Sequence, residues 1–139
     1  NATKYYRSVQ QARNEWKEGF TTSPGCWICG SRFNIVVHEM AKRSQAPNSW
    51  GELCNYFLCC NDCNCTVLEW VPIQWQLAIK LLHDAQQYDR RRVNELRGRA
   101  PDAVSAEDIE HCLVALLRYR EEMGTDAVGS FFKSRRHEH

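Results

Sequence analysis

Two cysteine pairs decide the expected fold of this chain: Cys26-Trp27-Ile28-Cys29 and Cys60-Asn61-Asp62-Cys63. Two such pairs can supply four thiolates, which form the tetrahedral sulfur shell that structural zinc prefers. Gly30 directly after the first pair indicates a tight turn, and the second pair is placed to form the first turn of a helix. Cys59 and Cys65 flank the second pair and leave the choice of its two ligands open. The expected ligands of one structural Zn²⁺ are Cys26, Cys29, Cys60 and Cys63.

The segment between the two pairs, residues 30–59, is longer than in a simple zinc ribbon and must contain structure of its own. Its run Phe33-Asn34-Ile35-Val36-Val37 has the composition of a strand and leads directly into His38-Glu39-Met40. A second extended segment, Asn55-Tyr56-Phe57-Leu58, brings the chain back to the second pair. This order predicts a zinc-anchored ββα unit in which the zinc is structural and any chemistry lies beside it.

The rest of the chain is expected to be helical. Apolar residues recur at helical spacing within residues 1–20, at Tyr5, Val9, Ala12 and Trp16, and we expect this N-terminal helix to pack on the zinc unit. Residues 73–124 are expected to form two helices. The first runs from Ile73 through the arginines to Leu96, and the second begins at Ser105 and ends at Gly124. Residues 125–139 are expected to be a loosely held tail. The predicted fold class is α+β, with a zinc-anchored finger packed among three main α-helices.

Length and composition favour one domain over residues 1–139, because a chain of this size can bury a moderate core. The net charge of +1 points to no particular class of partner. Eight cysteines at knuckle-like spacing, without a recognisable signal peptide, favour thiolate–metal bonds over disulfides. We therefore expect an intracellular, cytoplasmic protein. No apolar run approaches the roughly 20 residues that cross a bilayer, so no membrane partner is expected.

The segment from about residue 24 to residue 70 resembles the HNH, or ββα-metal, nuclease superfamily with its treble-clef zinc finger. In that family a strand ends in a polar pair, an asparagine precedes the third cysteine, and the last metal ligand directly follows the fourth cysteine. Here those positions hold His38-Glu39, Asn55 and Asn64. A final asparagine is also found in members that resemble endonuclease VII. The resemblance covers about a third of the chain and leaves the flanking helices outside the motif.

The resemblance implies a role for each of these residues. His38 and Asn64 would hold one catalytic divalent ion, Mg²⁺ or another metal, which contacts the scissile phosphate. Glu39 stands where the family has its base histidine, and three roles are open for it: a base that activates water, a second metal ligand, or the remnant of a lost activity. Asn55 would hold the loop that carries the polar pair. Asn64 has the alternative role of capping the finger helix.

Basic residues in two places are candidates for contact with a nucleic-acid backbone. Lys42 and Arg43 lie just beyond the polar pair, and Arg90, Arg91 and Arg92 belong to a basic block that continues to Arg97 and Arg99. The alternative for the block is a solvated helix face, which is the commoner origin of a charge run.

The expected function is that of a metal-dependent HNH-type endonuclease that hydrolyses DNA phosphodiester bonds. The alternative is a catalytically degenerate HNH-like zinc module that binds nucleic acid or a protein partner. A purely structural zinc domain within a larger assembly is a third class. DNA is the expected partner, and cleavage of both strands by one small active site favours a homodimer.

Overall fold

The computed structural model describes residues 11, 14–18, 25–42, 51–124 and 131–132, and the architecture of this part is mixed α+β. The elements are two strands, four helices and two short 3-10 turns. In chain order they are β1 (Ile35–Glu39), a turn at Leu53–Asn55, β2 (Tyr56–Cys60), α1 (Asn61–Thr66), α2 (Ile73–His83), a turn at Ala85–Gln87, α3 (Arg90–Leu96) and α4 (Ala106–Met123). Residues 14–18 are also helical. The predictions for Tyr5, Val9, Ala12 and Arg43 lie outside the described residues.

The two strands form an antiparallel hairpin whose register runs from Ile35 opposite Cys60 to Glu39 opposite Tyr56. All five residues of β2 are buried. The expected start of β1 at Phe33 is wrong. Phe33 is 81% exposed, and Asn34 adopts a φ of 54°, so the chain turns before the strand begins. The polar pair consequently belongs to the strand itself rather than to a loop beyond it.

The four cysteine sulfurs predicted to bind zinc converge at the end of this hairpin. Their Sγ atoms all lie within 4.8 Å of one another, and those of Cys29 and Cys60 are 3.7 Å apart. Sulfurs bound tetrahedrally at about 2.3 Å from Zn²⁺ lie about 3.8 Å apart, so the cluster fits the ion. Cys59 and Cys65 are not members of the cluster. The four predicted cysteines therefore form a cluster that could hold a metal ion such as zinc, and binding of Zn²⁺ by these residues stays a prediction.

Backbone donors and a shared proton stabilise one sulfur of the cluster, that of Cys26, as a thiolate. The N–H groups of Ile28 and Cys29 donate to Cys26 Sγ over 3.4 and 3.5 Å. A hydrogen bond from the Cys63 side chain lowers the pKa of Cys26 to about 5, and the same bond raises the pKa of Cys63. Cys60 also caps α1, since its sulfur accepts from the Cys63 N–H over 3.4 Å. The cluster thus fixes where α1 begins.

A buried ion pair connects α2 to the cysteine finger. Lys80 is fully buried, and its Nζ lies 2.6 Å from Asp84 and donates to the Leu53 carbonyl over 2.9 Å. The ammonium also lies 4.8 Å from the ring centroid of Trp16, whose indole N–H donates to Asp84 over 3.3 Å. Trp16 in turn packs edge-on against Trp27 with ring centroids 5.8 Å apart, as the sequence predicted for the N-terminal helical residues.

The expected continuous helix from Ile73 to Leu96 is wrong. α2 ends at His83 because Asp84 leaves helical geometry, with φ −145° and ψ 61°, and directs its carboxylate back to Lys80. α3 then starts afresh, with the Asp89 side chain accepting from the Arg92 N–H. An aspartate side chain that competes for local partners commonly ends or starts a helix in this way.

The last helix begins and ends where the sequence predicted. Ser105 Oγ accepts from the Asp108 N–H over 3.1 Å, and Gly124 with φ 102° ends α4. The expected tail, however, contributes to the core. Phe131 and Phe132 are each 2% exposed and pack against Trp75 at centroid distances of 5.2 and 5.8 Å. A loosely held tail is therefore the wrong description of these two residues.

We predict that Cys29→Ser loses bound zinc and cooperative unfolding, because the binding free energy of structural zinc, roughly 10 kcal/mol or more in small fingers, is also folding free energy. Elemental analysis and thermal melting followed by circular dichroism measure both effects. The matched control is Cys65→Ser, the same change at an exposed thiol outside the cluster, and it should retain one zinc per chain. Retention of zinc and of the parent melting curve by Cys29→Ser would show that the ligand set is wrong.

Candidate active site

His38 and Asn64 meet in the fold as the sequence predicted. His38 lies on β1 and Asn64 on α1, directly after Cys63, and His38 Nδ1 is 3.0 Å from Asn64 Oδ1. Cis ligands of an octahedral ion with bonds of about 2.1 Å lie about 3.0 Å apart, which matches this separation. Both atoms are ligand types that a hard or borderline divalent ion accepts, and water completes such a shell. The pair therefore fits one edge of a divalent-ion site.

Gln76 on α2 determines which nitrogen of His38 carries the proton. Its amide N–H donates to the Val71 carbonyl over 2.9 Å, so its oxygen faces His38 Nε2 at 3.2 Å. An oxygen acceptor requires a proton on Nε2, and in the neutral ring Nδ1 then carries a free lone pair. That lone pair faces the amide oxygen of Asn64. A proton or a cation between these two atoms satisfies that lone pair, as does rotation of the Asn64 amide so that its N–H donates to Nδ1.

Burial disfavours the protonated, imidazolium form of His38 at neutral pH. Desolvation lowers the pKa of His38 below its ordinary value of 6.5, against the opposing hydrogen bonds of Gln76 and Asn64. The ring is consequently neutral at pH 7, and the imidazolium that would donate to Asn64 is disfavoured. A neutral ring with one nitrogen held by Gln76 leaves Nδ1 able to act as a metal ligand.

Glu39 is a buried residue at the wall of the same cavity. It is 8% exposed and lies next to His38 on β1. A cavity of about 380 Å³ is bounded by both residues, together with Val37, Lys42, Asn64, Cys65, Leu68 and Glu69. Glu39 is therefore a buried carboxylate that borders the cavity.

Asn55 is fully buried and fixes the chain that follows the polar pair. Its Oδ1 accepts from the Ala41 N–H over 2.6 Å, its Nδ2 donates to the Ala41 carbonyl over 3.0 Å, and its own carbonyl accepts from the Met40 N–H. These are the hydrogen bonds that the sequence predicted for Asn55. They hold the end of β1 against the segment that leads into β2.

A second cavity of about 300 Å³ adjoins the first and shares four lining residues with it, His38, Lys42, Leu68 and Glu69. We call the two together the groove. The second half is also lined by Met40, Val71, Pro72, Ile73, Gln76 and Arg97. Gln76, Glu69 and Arg97 are groove residues that sequence reasoning did not assign to the site. No local pattern marks them, since only the packing of α2 and α3 brings them to His38.

The three arginines predicted to bind nucleic acid are instead engaged with carboxylates of the chain itself. Arg90 and Arg91 both contact Asp102, at 3.1 and 3.0 Å, and Arg92 contacts Glu52 at 2.6 Å. Arg90 also donates to the Val104 carbonyl over 2.9 Å. None of the three lines the groove. Their role on a nucleic-acid backbone stays a prediction, and their observed role is to hold the loop after α3.

We predict that His38 is a neutral Nε2–H tautomer above pH 7, because Gln76 offers only its oxygen to that nitrogen. Nitrogen-15 NMR of labelled histidine measures the tautomer directly. Gln76→Met keeps the length of the side chain and removes the acceptor, so the Nδ1–H form should become populated. His111, exposed on α4, is the internal control and should be unaffected. An Nδ1–H tautomer in the parent protein would contradict the assignment.

Within the part of the chain that the structure describes, no helix has the length and apolar character needed to span a membrane. Comparisons with family models, with curated proteins and with solved structures found no match to this chain.

Proposed function

We propose that this chain is a metal-dependent HNH-type endonuclease that hydrolyses DNA phosphodiester bonds. The observation that carries the proposal is the 3.0 Å approach of His38 Nδ1 to Asn64 Oδ1, with Gln76 holding the opposite ring nitrogen. This pair lies beside a four-cysteine cluster and opens onto a groove that a phosphodiester can enter. The order of these residues along the chain agrees with the HNH resemblance.

Each residue of the proposed site has a separate role in hydrolysis. His38 and Asn64 present one nitrogen and one oxygen lone pair at the cavity wall, and Gln76 prevents the ring from turning. A divalent ion bound there supplies positive charge for the scissile phosphate and for the leaving oxygen. Lys42, exposed at the junction of the two cavities, adds a cation for the phosphate.

Glu39 is the proposed general base. It borders the cavity next to His38, and a carboxylate can orient an attacking water and accept its proton. Because Glu39 is buried, water that reaches it must pass through the groove. Asn55 does not take part in proton transfer in this proposal. It positions the chain after Glu39 through its two hydrogen bonds with Ala41.

A second candidate function is nucleic-acid or protein binding without cleavage. The observation that favours it is the identity of residue 39, since a glutamate stands where the resembling family has a histidine base. The groove and the metal pair would then be retained for binding a phosphate backbone. The two candidates differ in one measurable property, which is the nicking of DNA in the presence of a divalent ion.

We predict that His38→Ala abolishes nicking of supercoiled plasmid with Mg²⁺ or Mn²⁺, because it removes one ligand of the divalent ion. Zinc content and the melting curve should stay close to those of the parent, since the cysteine cluster is untouched. His111→Ala, the same change on the exposed face of α4, is the control and should cut at the parent rate. Undiminished cutting by His38→Ala would disprove the assigned metal pair.

We predict that Glu39→Gln lowers the cleavage rate on the order of a hundredfold or more, because the amide cannot accept the proton of the attacking water. Glu69→Gln makes the same chemical change at an exposed carboxylate of the groove and should stay within a few-fold of the parent. A large loss at Glu69 and none at Glu39 would mean that the base is wrongly assigned.

Glu39→His separates the two candidate functions. Should the parent fail to cut with Mg²⁺, Mn²⁺ or Ni²⁺ while Glu39→His cuts, the natural protein is the degenerate binding module. Should neither cut, and no divalent ion bind at His38, the nuclease proposal fails.

A further inference from the structure

Arg97 differs from the three arginines of α3 because its side chain faces the groove. It follows α3 directly, and its backbone N–H donates to the carbonyls of Glu95 and Val93. Gly98, with a φ of 74°, then turns the chain, and the Arg99 N–H donates to the Asn94 carbonyl over 2.9 Å. These bonds fix the backbone from which the guanidinium reaches the second half of the groove, where it lines the wall with His38 and Lys42.

Among the described residues, neither cation of this wall takes part in an ion pair. The ion pairs found among the described residues use Lys80, Arg90, Arg91 and Arg92, and none of them includes Arg97 or Lys42. Arg97 is partly buried, and this desolvation, with a smaller contribution from the charge of Arg99, lowers the pKa of its guanidinium. A cation that is withdrawn from water without a partner is stabilised by an incoming anion.

We propose that the second half of the groove is a phosphate subsite, in which Arg97 and Lys42 bind the backbone phosphate next to the one held at His38 and Asn64. The guanidinium fork matches two phosphate oxygens, and the lysine adds a point charge from the opposite side. The identity of the polymer rests on the proposed nuclease function. The subsite itself rests on the placement of Arg97 and Lys42.

The shape of the groove favours an extended phosphate polymer as the ligand. Its two halves share His38, Lys42, Leu68 and Glu69, so a chain that occupies the first half continues into the second. Glu69 is an exposed carboxylate that lines both halves. A single small phosphate fills one half only. The subsite therefore distinguishes a polymeric substrate from a minimal one.

The test compares two substrates that differ in the number of phosphates. Duplex oligonucleotide can occupy both halves of the groove, whereas bis(4-nitrophenyl) phosphate carries one phosphodiester. Arg97→Gln should raise KM for the oligonucleotide about tenfold or more, as expected for a lost charge-assisted contact, and leave both kcat and KM for the small substrate within about twofold. Arg97→Lys should recover part of the loss. Arg118→Gln, the same change at an exposed arginine of α4 outside the groove, should behave like the parent.

Binding of labelled oligonucleotide without added divalent ion gives a second measurement. Arg97→Gln should weaken binding and reduce the slope of log affinity against log salt by about one, the value for one lost phosphate contact. Arg118→Gln should change neither the affinity nor the slope. If the parent cuts both substrates and Arg97→Gln matches it on the oligonucleotide, the subsite is disproved and the nuclease proposal stands.

Two further outcomes separate this inference from the function on which it rests. If the parent cuts neither substrate but binds the oligonucleotide through Arg97, the subsite is supported and the nuclease proposal fails. If a polyglutamate peptide binds through Arg97 and the oligonucleotide does not, the groove belongs to an acidic protein partner and the subsite is overturned.

Discussion

The convergence of four cysteine sulfurs is the constraint on which the rest of the structure depends. Cys29 and Cys60 are 31 positions apart in the chain, and their sulfurs are 3.7 Å apart in the fold. Cys60 ends β2 and caps α1, so one residue sets both the register of the hairpin and the start of the helix. Asn64 follows within the first turn of α1, and its side chain contacts His38 on β1. The candidate metal pair is therefore a geometric consequence of the cysteine cluster.

Helix α2 provides a second support, from outside the cysteine finger. Gln76 and Lys80 lie four residues apart, which places them on one face of the helix. Gln76 holds the ring of His38, while Lys80 holds the Leu53 carbonyl and the buried carboxylate of Asp84. The segment that Lys80 secures leads directly to Asn55, which secures the chain after Glu39. One helix face thus restrains both sides of the polar pair. This restraint keeps His38 Nδ1 facing the side chain of Asn64.

The arginines illustrate why a charge run does not by itself identify a binding surface. Arg91 is exposed and is paired with Asp102, and Arg92 is paired with Glu52, so both charges are already neutralised locally. Arg97 comes from the same stretch of sequence but has no such partner among the described residues and lies in the groove. The difference arises because α3 ends at Leu96, which directs Arg97 away from the row of carboxylates. Electrostatic function here depends on which charges remain without a partner.

The sequence alone determined those features that short-range patterns encode. The paired cysteines predicted which four sulfurs cluster, and the apolar runs predicted the two strands. Ser105 and Gly124 predicted the ends of α4, and the family resemblance predicted the hydrogen-bonding role of Asn55. The tertiary structure alone decided the break at Asp84, the burial of Phe131 and Phe132, and the contacts of Gln76 and Arg97 with the site. The contacts of Gln76 and of the two phenylalanines depend on partners distant in sequence, such as His38 for Gln76 and Trp75 for Phe131, whereas the break at Asp84 combines the nearby Lys80 with the distant Trp16. Periodicity and capping describe a residue's nearest neighbours in the chain, whereas the protonation and partner of a buried polar group depend on the packing of elements that no local pattern specifies.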